Sequence, residues 1–296
     1  MSKFSYQIAH DDKERPVKEL LRRHFTFSSR MMTRLKQNGG ILLNGQPVKL
    51  HIIPKAGDVI TINLPDEKSH FQPQPVPVIP VYEDEDLLIV DKLPGYVVHP
   101  TKGHKEYTMA NGIAQYMLDT NQSFKIRFIN RLDMDTSGLL FIAKNAHCQK
   151  EIIKQMNENR TTKKYLAIVC GIISENTGTI DLPIGKPNPE GAARSVIESG
   201  YPSKTHYTVI QRFEKGFSLV ELLLETGRTH QIRVHMSHIG HPIVGDPLYG
   251  EENHGLIKRQ ALHAAELSFY HPLTGKFTQA KAQMPADMQK LVTIIQ

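Results

Sequence analysis

The chain has no tryptophan, only two cysteines in 296 residues, and aromatic side chains at just 7%. Each scarcity excludes something. Cys148 and Cys170 cannot build a disulfide framework and fit a reducing compartment. With so few rings, an extended row of base-stacking aromatics is not an evident theme. No apolar run approaches the roughly 18 residues that a membrane helix requires. The opening residues, MSKFSYQIAHDDKERPVKEL, contain no apolar stretch of the kind that drives secretion, so the expectation is a cytoplasmic protein. Phosphate-binding P-loop, GxGxxG and HExxH patterns are missing as well. What is present is ordinary globular material, with 40% apolar and 22% charged residues. A formal charge of +6 makes a polyanionic partner plausible without identifying one.

One break divides the chain. NLPDEKSHFQPQPVPVIP, residues 63 to 80, carries five prolines among polar spacers and cannot be regular helix or central strand. The expected organisation is a small segment over 13–64, a Pro-rich linker over 65–80 and a larger unit over 81–296. In the small segment Val17, Leu20, Leu21 and His24 have the spacing of one helix face. A second helix is expected after Ser28 or Ser29, with Met31, Met32 and Leu35 inward and Gly39-Gly40 ending it. Asn44-Gly45 marks a hairpin, and AGDVITINL a further strand. Arg22, Arg23, Arg30, Arg34 and Lys36 gather on the two helices. Arg30 and Arg34 are i,i+4 neighbours of like sign, which destabilises a helix slightly unless a counter-charge compensates. Phosphates are one candidate and a merely solvated face is the other. The order of elements favours the first. LLRRHFTFSSRMMTRLKQNGGILLNGQPVKLHIIPKAGDVITI resembles the S-four-like RNA-binding module, a small domain of helices and a β-hairpin.

Beyond residue 81, short strands outnumber helices. DLLIVDK runs into a Pro94-Gly95 turn, and LLFIAK is continuously apolar, as a strand buried on both faces would be. KYLAIVCG and SLVELLLETG are further strands, with helices near 108–120 and 146–158. Most connections are too short for repeated βαβ crossovers. The expected fold is α+β, with a mixed, largely antiparallel sheet.

The stretch TGRTHQIRVHMSHIGH crowds four histidines into residues 226–241. Thr229 reads as an N-cap and Gly240 as the residue after the helix end, with Ile232, Met236 and Ile239 inward over about ten residues. On that wheel only His235 and His238 share a face, no carboxylate or cysteine completes a ligand set, and a metal site is not expected. Arg233 falls at the edge of the apolar stripe. Either it reaches solvent, or it is buried and needs an anion beside it. Arg228 and His230 flank the expected helix start, where free backbone amides attract phosphate.

NRLDMDTSGLLFIAK, residues 130 to 144, offers that anion. A carboxylate at the mouth of a buried strand is rigidly held and easily desolvated. Asp135, followed by Thr-Ser-Gly, suits the bend into the strand. Asp133 is then free for another role.

This same stretch resembles the signature of the RluA family of pseudouridine synthases. DEDLLIVDKLPGYVVHP, KKYLAIVCG, LETGRTHQIRVHMSHIGHPIVGDPLYG and ALHAAELSFYHPLTGK are similar to further family segments in the family's order. The resemblance implies an isomerase that flips a uridine out of structured RNA and rejoins its uracil through carbon 5, with no metal, nucleotide or redox cofactor. It implies Asp133 as the essential carboxylate, attacking the anomeric carbon or ring carbon 6, or assisting glycosidic cleavage. Tyr165 would stack on the uracil and help to move a proton, and Arg233 would pair with Asp133. Arg131 would fill the space left by the flipped base. Large-subunit ribosomal RNA is the expected partner, with transfer RNA as the alternative, and the default state is a monomer. Asn130 departs from the family's usual histidine and cannot titrate. Two other classes compete: a glycosidase-like hydrolase, which needs a second carboxylate in the site, and a non-catalytic RNA-binding protein.

Overall fold

A computed structural model describes residues 3–25, 27, 29–64, 67–188, 190–250 and 255–296, with the side chains of Lys3 and Arg30 outside that description. Ser28 and the Arg30 side chain, both singled out from the sequence, therefore lie outside the described residues.

Strand β1 (Lys3–Gln7) is followed by a short turn of 3-10 helix and by α1 (Val17–Phe25) and α2 (Ser29–Gln37). Then come β2 (Ile41–Leu43), β3 (Gln46–Pro47) and β4 (Val59–Asn63). These strands form one sheet in the order β1-β4-β2-β3. Asn44 and Gly45 both take positive φ, 49° and 81°, as a two-residue hairpin turn with right-handed strand twist demands. Val17, Leu20 and Leu21 are buried with Met32, Leu35, Ile60 and Ile62. His24 is not part of that core; its ring bonds Asp12 and stacks on Tyr6. The segment expected to begin at residue 13 leaves out β1, whose two-sided pairing partner β4 lies fifty residues on.

The proline-rich stretch lies down on the larger unit. Asn111 Nδ2 donates to Gln72 O at 2.8 Å, and Val76 is buried against Gly112, where a Cβ would come within 2.8 Å of Val76. Proline keeps this segment extended, and the neighbouring helix supplies the polar partners that a ladder would otherwise give.

The larger unit continues with β5 (Pro80–Glu83), β6 (Leu87–Lys92), α3 (Met109–Asp119), β7 (Arg127–Phe128), β8 (Ser137–Ala143) and α4 (Ala146–Asn157). Next are β9 (Thr162–Cys170), β10 (Thr177–Asp181), β11 (Ile184–Gly185), β12 (Ser195–Val196), β13 (Lys204–Phe213) and β14 (Phe217–Leu224). Helix α5 (Gln231–His238), β15 (Leu262–Tyr270), β16 (Phe277–Lys281) and α6 (Ala286–Ile295) close the chain. The main sheet runs β10-β13-β14-β9-β15-β8-β6-β5, with β16 on β15 and β7 on β8. Every pairing in it is antiparallel except β15 with β8. The α+β expectation is met.

Period-two alternation explains the continuous apolar runs. Leu88, Val90, Leu140 and Ile142 face a core shared with α3, α5 and α6. Leu87, Ile89, Leu139 and Phe141 face the opposite core, under α4. The parallel contact is short, His263–Ser137 and Ala264–Gly138 alone. Two antiparallel half-sheets thus meet at the start of β8, and the chain entering β8 opens at the middle of the molecule.

Candidate active site

The turn that feeds β8 begins at Asp133, whose carbonyl accepts from Thr136 N at 3.2 Å. Asp135 sits at the corner, its carbonyl held by Arg259 Nη1 at 3.0 Å. Lys92, fully buried, donates from Nζ to Leu93 O, Tyr96 O and Met134 O at 2.9, 3.0 and 2.7 Å, pinning the turn to the end of β6. Burial pushes that ammonium down to about 7, against the pull of Asp135. Gly138 has φ +107°, and a Cβ there would lie 2.3 Å from Ala264 O, so the parallel junction needs the glycine. Both backbones therefore shape the bend, and of the two carboxylates it is that of Asp133 that reaches the pocket.

Asp133 faces a pocket of about 360 Å³ whose lining includes Arg131, Tyr165, Arg228, His230 and Arg233. Arg233 is buried and forked. Its Nε and Nη2 donate to Asp246 Oδ2 and Oδ1 at 2.7 and 2.8 Å, and its Nη1 donates to Asp133 Oδ2 at 3.0 Å. Burial alone would lower the guanidinium pKa, but the two carboxylates raise it above the ordinary arginine value. The solvent-reaching alternative for Arg233 is excluded. Asp246, which the sequence reading passed over, also accepts from the amides of Leu248 and Tyr249. The signal for it was the demand of a buried Arg233 for a counter-charge, with an acidic Gly-Asp-Pro turn thirteen residues on.

Tyr165, on β9, is buried against the pocket, and burial together with the charge of Asp133 pushes its phenol well above the ordinary range. His230 has left-handed backbone, φ 58°. Its Nδ1 lies 2.8 Å from the Tyr249 hydroxyl and its Nε2 3.8 Å from Asp133 Oδ2. Burial keeps the imidazole below its usual value and hence neutral at pH 7. Among the described lining residues Asp133 is the only carboxylate. A paired-carboxylate hydrolase lacks its second acid here.

Several expectations are corrected. Helix α5 has eight residues, not about ten, and Thr229 is not its N-cap. His230 holds that position without a side-chain cap, and Gln231, the first helical residue, ties the helix start to its surroundings: its Oε1 accepts from Arg228 N at 3.0 Å and from Thr226 Oγ1 at 2.8 Å, while Nε2 donates to Lys204 O and Thr205 Oγ1. The Arg228 amide is thus already satisfied and not part of an open phosphate cradle. Thr229 instead accepts from Arg131 Nη2 at 3.2 Å. His235 bonds Thr205 Oγ1 and Leu182 O inside the core, which engages both of its ring nitrogens. Asn130 bridges to β8, donating to Leu139 O at 3.1 Å and accepting from Phe141 N at 2.8 Å, a task that needs no titration.

The basic residues of the small sheet domain also separate. Arg22 and Lys36 line a groove of about 1830 Å³ with Lys18, Lys49 and His51. Arg34 is turned instead to Glu67 of the linker, at 3.0 Å, and Glu67 also binds Arg127. Arg34 is therefore compensated by a carboxylate within the chain, not left for phosphate. Arg23 is exposed and outside that groove.

A turn carrying a lone carboxylate, an arginine clamped behind it and a sheet that opens between them make up the site. A sequence model described as RNA pseudouridylate synthase matches residues 86–238. The chain is 40% identical over 260 residues to an uncharacterized RNA pseudouridine synthase of Bacillus subtilis, YlyB, covering 86% of each chain. It is 36% identical over 253 residues to the ribosomal large subunit pseudouridine synthase D of Escherichia coli K12, covering 81% of this chain and 77% of that one. Among solved structures, human RNA pseudouridylate synthase domain containing 1 aligns with a TM-score of 0.57 at 28% identity, over 75% of this chain and 96% of its own. The chain belongs to the RNA pseudouridine synthase family, of the RluA type, and is an isomerase acting on RNA. No described helix is long and apolar enough to cross a membrane.

Proposed function

We propose that the chain isomerises uridines of large-subunit ribosomal RNA, with Asp133 as the carboxylate that attacks the target nucleoside. The observation that carries this reading is the ion pair between Asp133 and the buried, doubly held Arg233. Such a pair keeps the carboxylate ionised and fixed in rotamer, so little reorganisation is left for the moment of attack. Tyr165 is the opposite wall, offering a ring for the uracil and a hydroxyl for proton movement at carbon 5. Arg131 and Arg228 stand at the mouth, where a flipped nucleotide passes. Unstacking costs a few kcal/mol, and phosphate contacts offset it. Those contacts extend to Lys18, Arg22, Lys36 and Lys49 in the groove of the small domain.

Ribosomal RNA is favoured over transfer RNA because several relatives at about 35% identity and above are ribosomal large subunit pseudouridine synthases D. Two cysteines in 296 residues suit the cytoplasm, and a monomer is the default state. The test is a carbodiimide map of pseudouridine in total RNA from cells with and without the gene. Loss of one or more sites in large-subunit ribosomal RNA is expected. Loss confined to transfer RNA, or no loss, would overturn the substrate.

A further inference from the structure

The pocket that faces Asp133 is not the only cavity at its mouth. A second, of about 790 Å³, lies beside it, and a broader groove of about 1440 Å³, lined in part by Asn130, Lys163 and Tyr165, lies on another side. Arg131 and Arg228 line all three, so the cavities meet between these two side chains. A strand whose target uridine enters the pocket must carry its neighbours into the adjoining cavities.

The second cavity has its own chemistry. Lys186 and Arg194 join Arg131 and Arg228 around it, and no carboxylate is among its described lining residues. Tyr201 stands at its edge with 68% of its surface exposed, the most exposed large apolar or aromatic side chain among the described residues. The Arg228 guanidinium lies over its ring, 5.3 Å from the centroid. The exposed ring is mounted on a fixed backbone. Tyr201 N donates to Ile184 O at 2.8 Å and Ile184 N to Tyr201 O at 3.0 Å. Gly200 packs so closely that a Cβ there would lie 2.5 Å from the Ile184 carbonyl carbon. The Tyr201 side chain faces solvent beside an arginine and a cluster of further cations. This group of side chains has the composition of a stacking platform for one unpaired base, with cations for the adjoining phosphate.

We infer that Tyr201, with Lys186, Arg194 and Arg228, forms a second nucleotide subsite that holds an unstacked base flanking the target uridine. The subsite rests on the pseudouridine synthase reading of the pocket, but not on which RNA is the substrate. It acts in capture of the strand, not in the isomerisation itself.

The test uses the full chain and refolded total RNA from cells lacking the gene, in which the wild-type protein restores pseudouridine at its own sites, whichever RNA holds them. Tyr201→Ala should lower kcat/KM at those sites roughly tenfold, through KM, with the saturating rate within about twofold of wild type. Tyr201→Phe should retain most of the efficiency, because the ring and not the hydroxyl does the stacking. Arg194→Gln should raise KM and flatten its dependence on salt by about one unit of log–log slope. An unchanged melting temperature checks that the exposed substitution leaves the fold intact. Wild-type kcat/KM in Tyr201→Ala, a loss carried by kcat, or a Phe variant as impaired as Ala would each overturn the subsite. Restored sites lying outside ribosomal RNA would overturn the proposed substrate and leave the subsite to be decided by the Tyr201 variants.

Discussion

A guanidinium as buried as Arg233 is stable only while each of its charged faces has a partner. Asp246 takes two of its donors and Asp133 a third, so the pair at the surface of the pocket rests on one behind it. Asp246 is buried and does not itself line the pocket, so its effect on turnover must pass through Arg233. Asp246→Ala leaves half of a buried charge unpaired and should cost about 3–5 kcal/mol of stability, measured by urea unfolding. Where enough protein folds, its turnover should fall as well, since Asp133 loses a fixed counter-charge. A variant with unchanged stability would mean that Arg233 reaches water. Residue by residue, the carboxylate and its arginine were legible because both sit in dense, chemically distinctive stretches. Asp246, Gln231 and Lys92 were not, since each works through contacts made only once distant segments meet.

Elements carry the site in two ways. Helix α5 begins without a capping hydroxyl, its first turn stitched to β13 and to the preceding loop by the Gln231 amide. Gln231→Ala should therefore cost about 1–3 kcal/mol, by leaving buried polar groups without partners. Thr229→Ala, which removes no cap, should cost less than about 0.5 kcal/mol. Thermal melts of the two variants distinguish the observed start from the one the Thr-x-x pattern suggested. Thr229 misled because its hydroxyl has a rival partner in Arg131, which local propensity does not register. The junction of β8 with β15 is the second device. Gly138→Ala meets both a positive φ and the Ala264 carbonyl, and should destabilise by at least about 2 kcal/mol. The strands themselves were readable from period-two patterns, but their order in the sheet was not, because β8 and β15 pair across more than a hundred residues.

At the scale of the whole molecule, a histidine of the larger unit packs against the small sheet domain. His147, near the start of α4, packs edge-on against Phe4 and Phe27 of the small domain, with ring centroids 5.6 and 5.1 Å away. Burial pushes its imidazole down to about 4, and burial does the same to His263 of β15, beside β8. In the unfolded chain both titrate near 6.5. Between those values the unfolded chain binds protons that the folded one does not, so stability present above about pH 6.5 is lost as pH falls toward 4. Each histidine should contribute about 3 kcal/mol to that loss. His147→Phe should make the decline smaller by about 2–3 kcal/mol, read from unfolding curves at pH 7 and pH 4.5. An equal decline in the variant would place the titration elsewhere. This contact was invisible in the sequence, where Phe4 and Phe27 were unremarked and β1 lay outside the expected domain.

The central claim is that the Asp133 carboxylate performs the chemistry, and it is tested by Asp133→Asn. The substitution keeps the shape of the turn and leaves Arg131, Arg228 and Tyr201 unchanged. We expect a folded protein that still binds the RNA it modifies, yet forms no pseudouridine under single-turnover conditions with enzyme in excess. Pseudouridine appearing at the wild-type rate in that experiment would contradict the assignment outright.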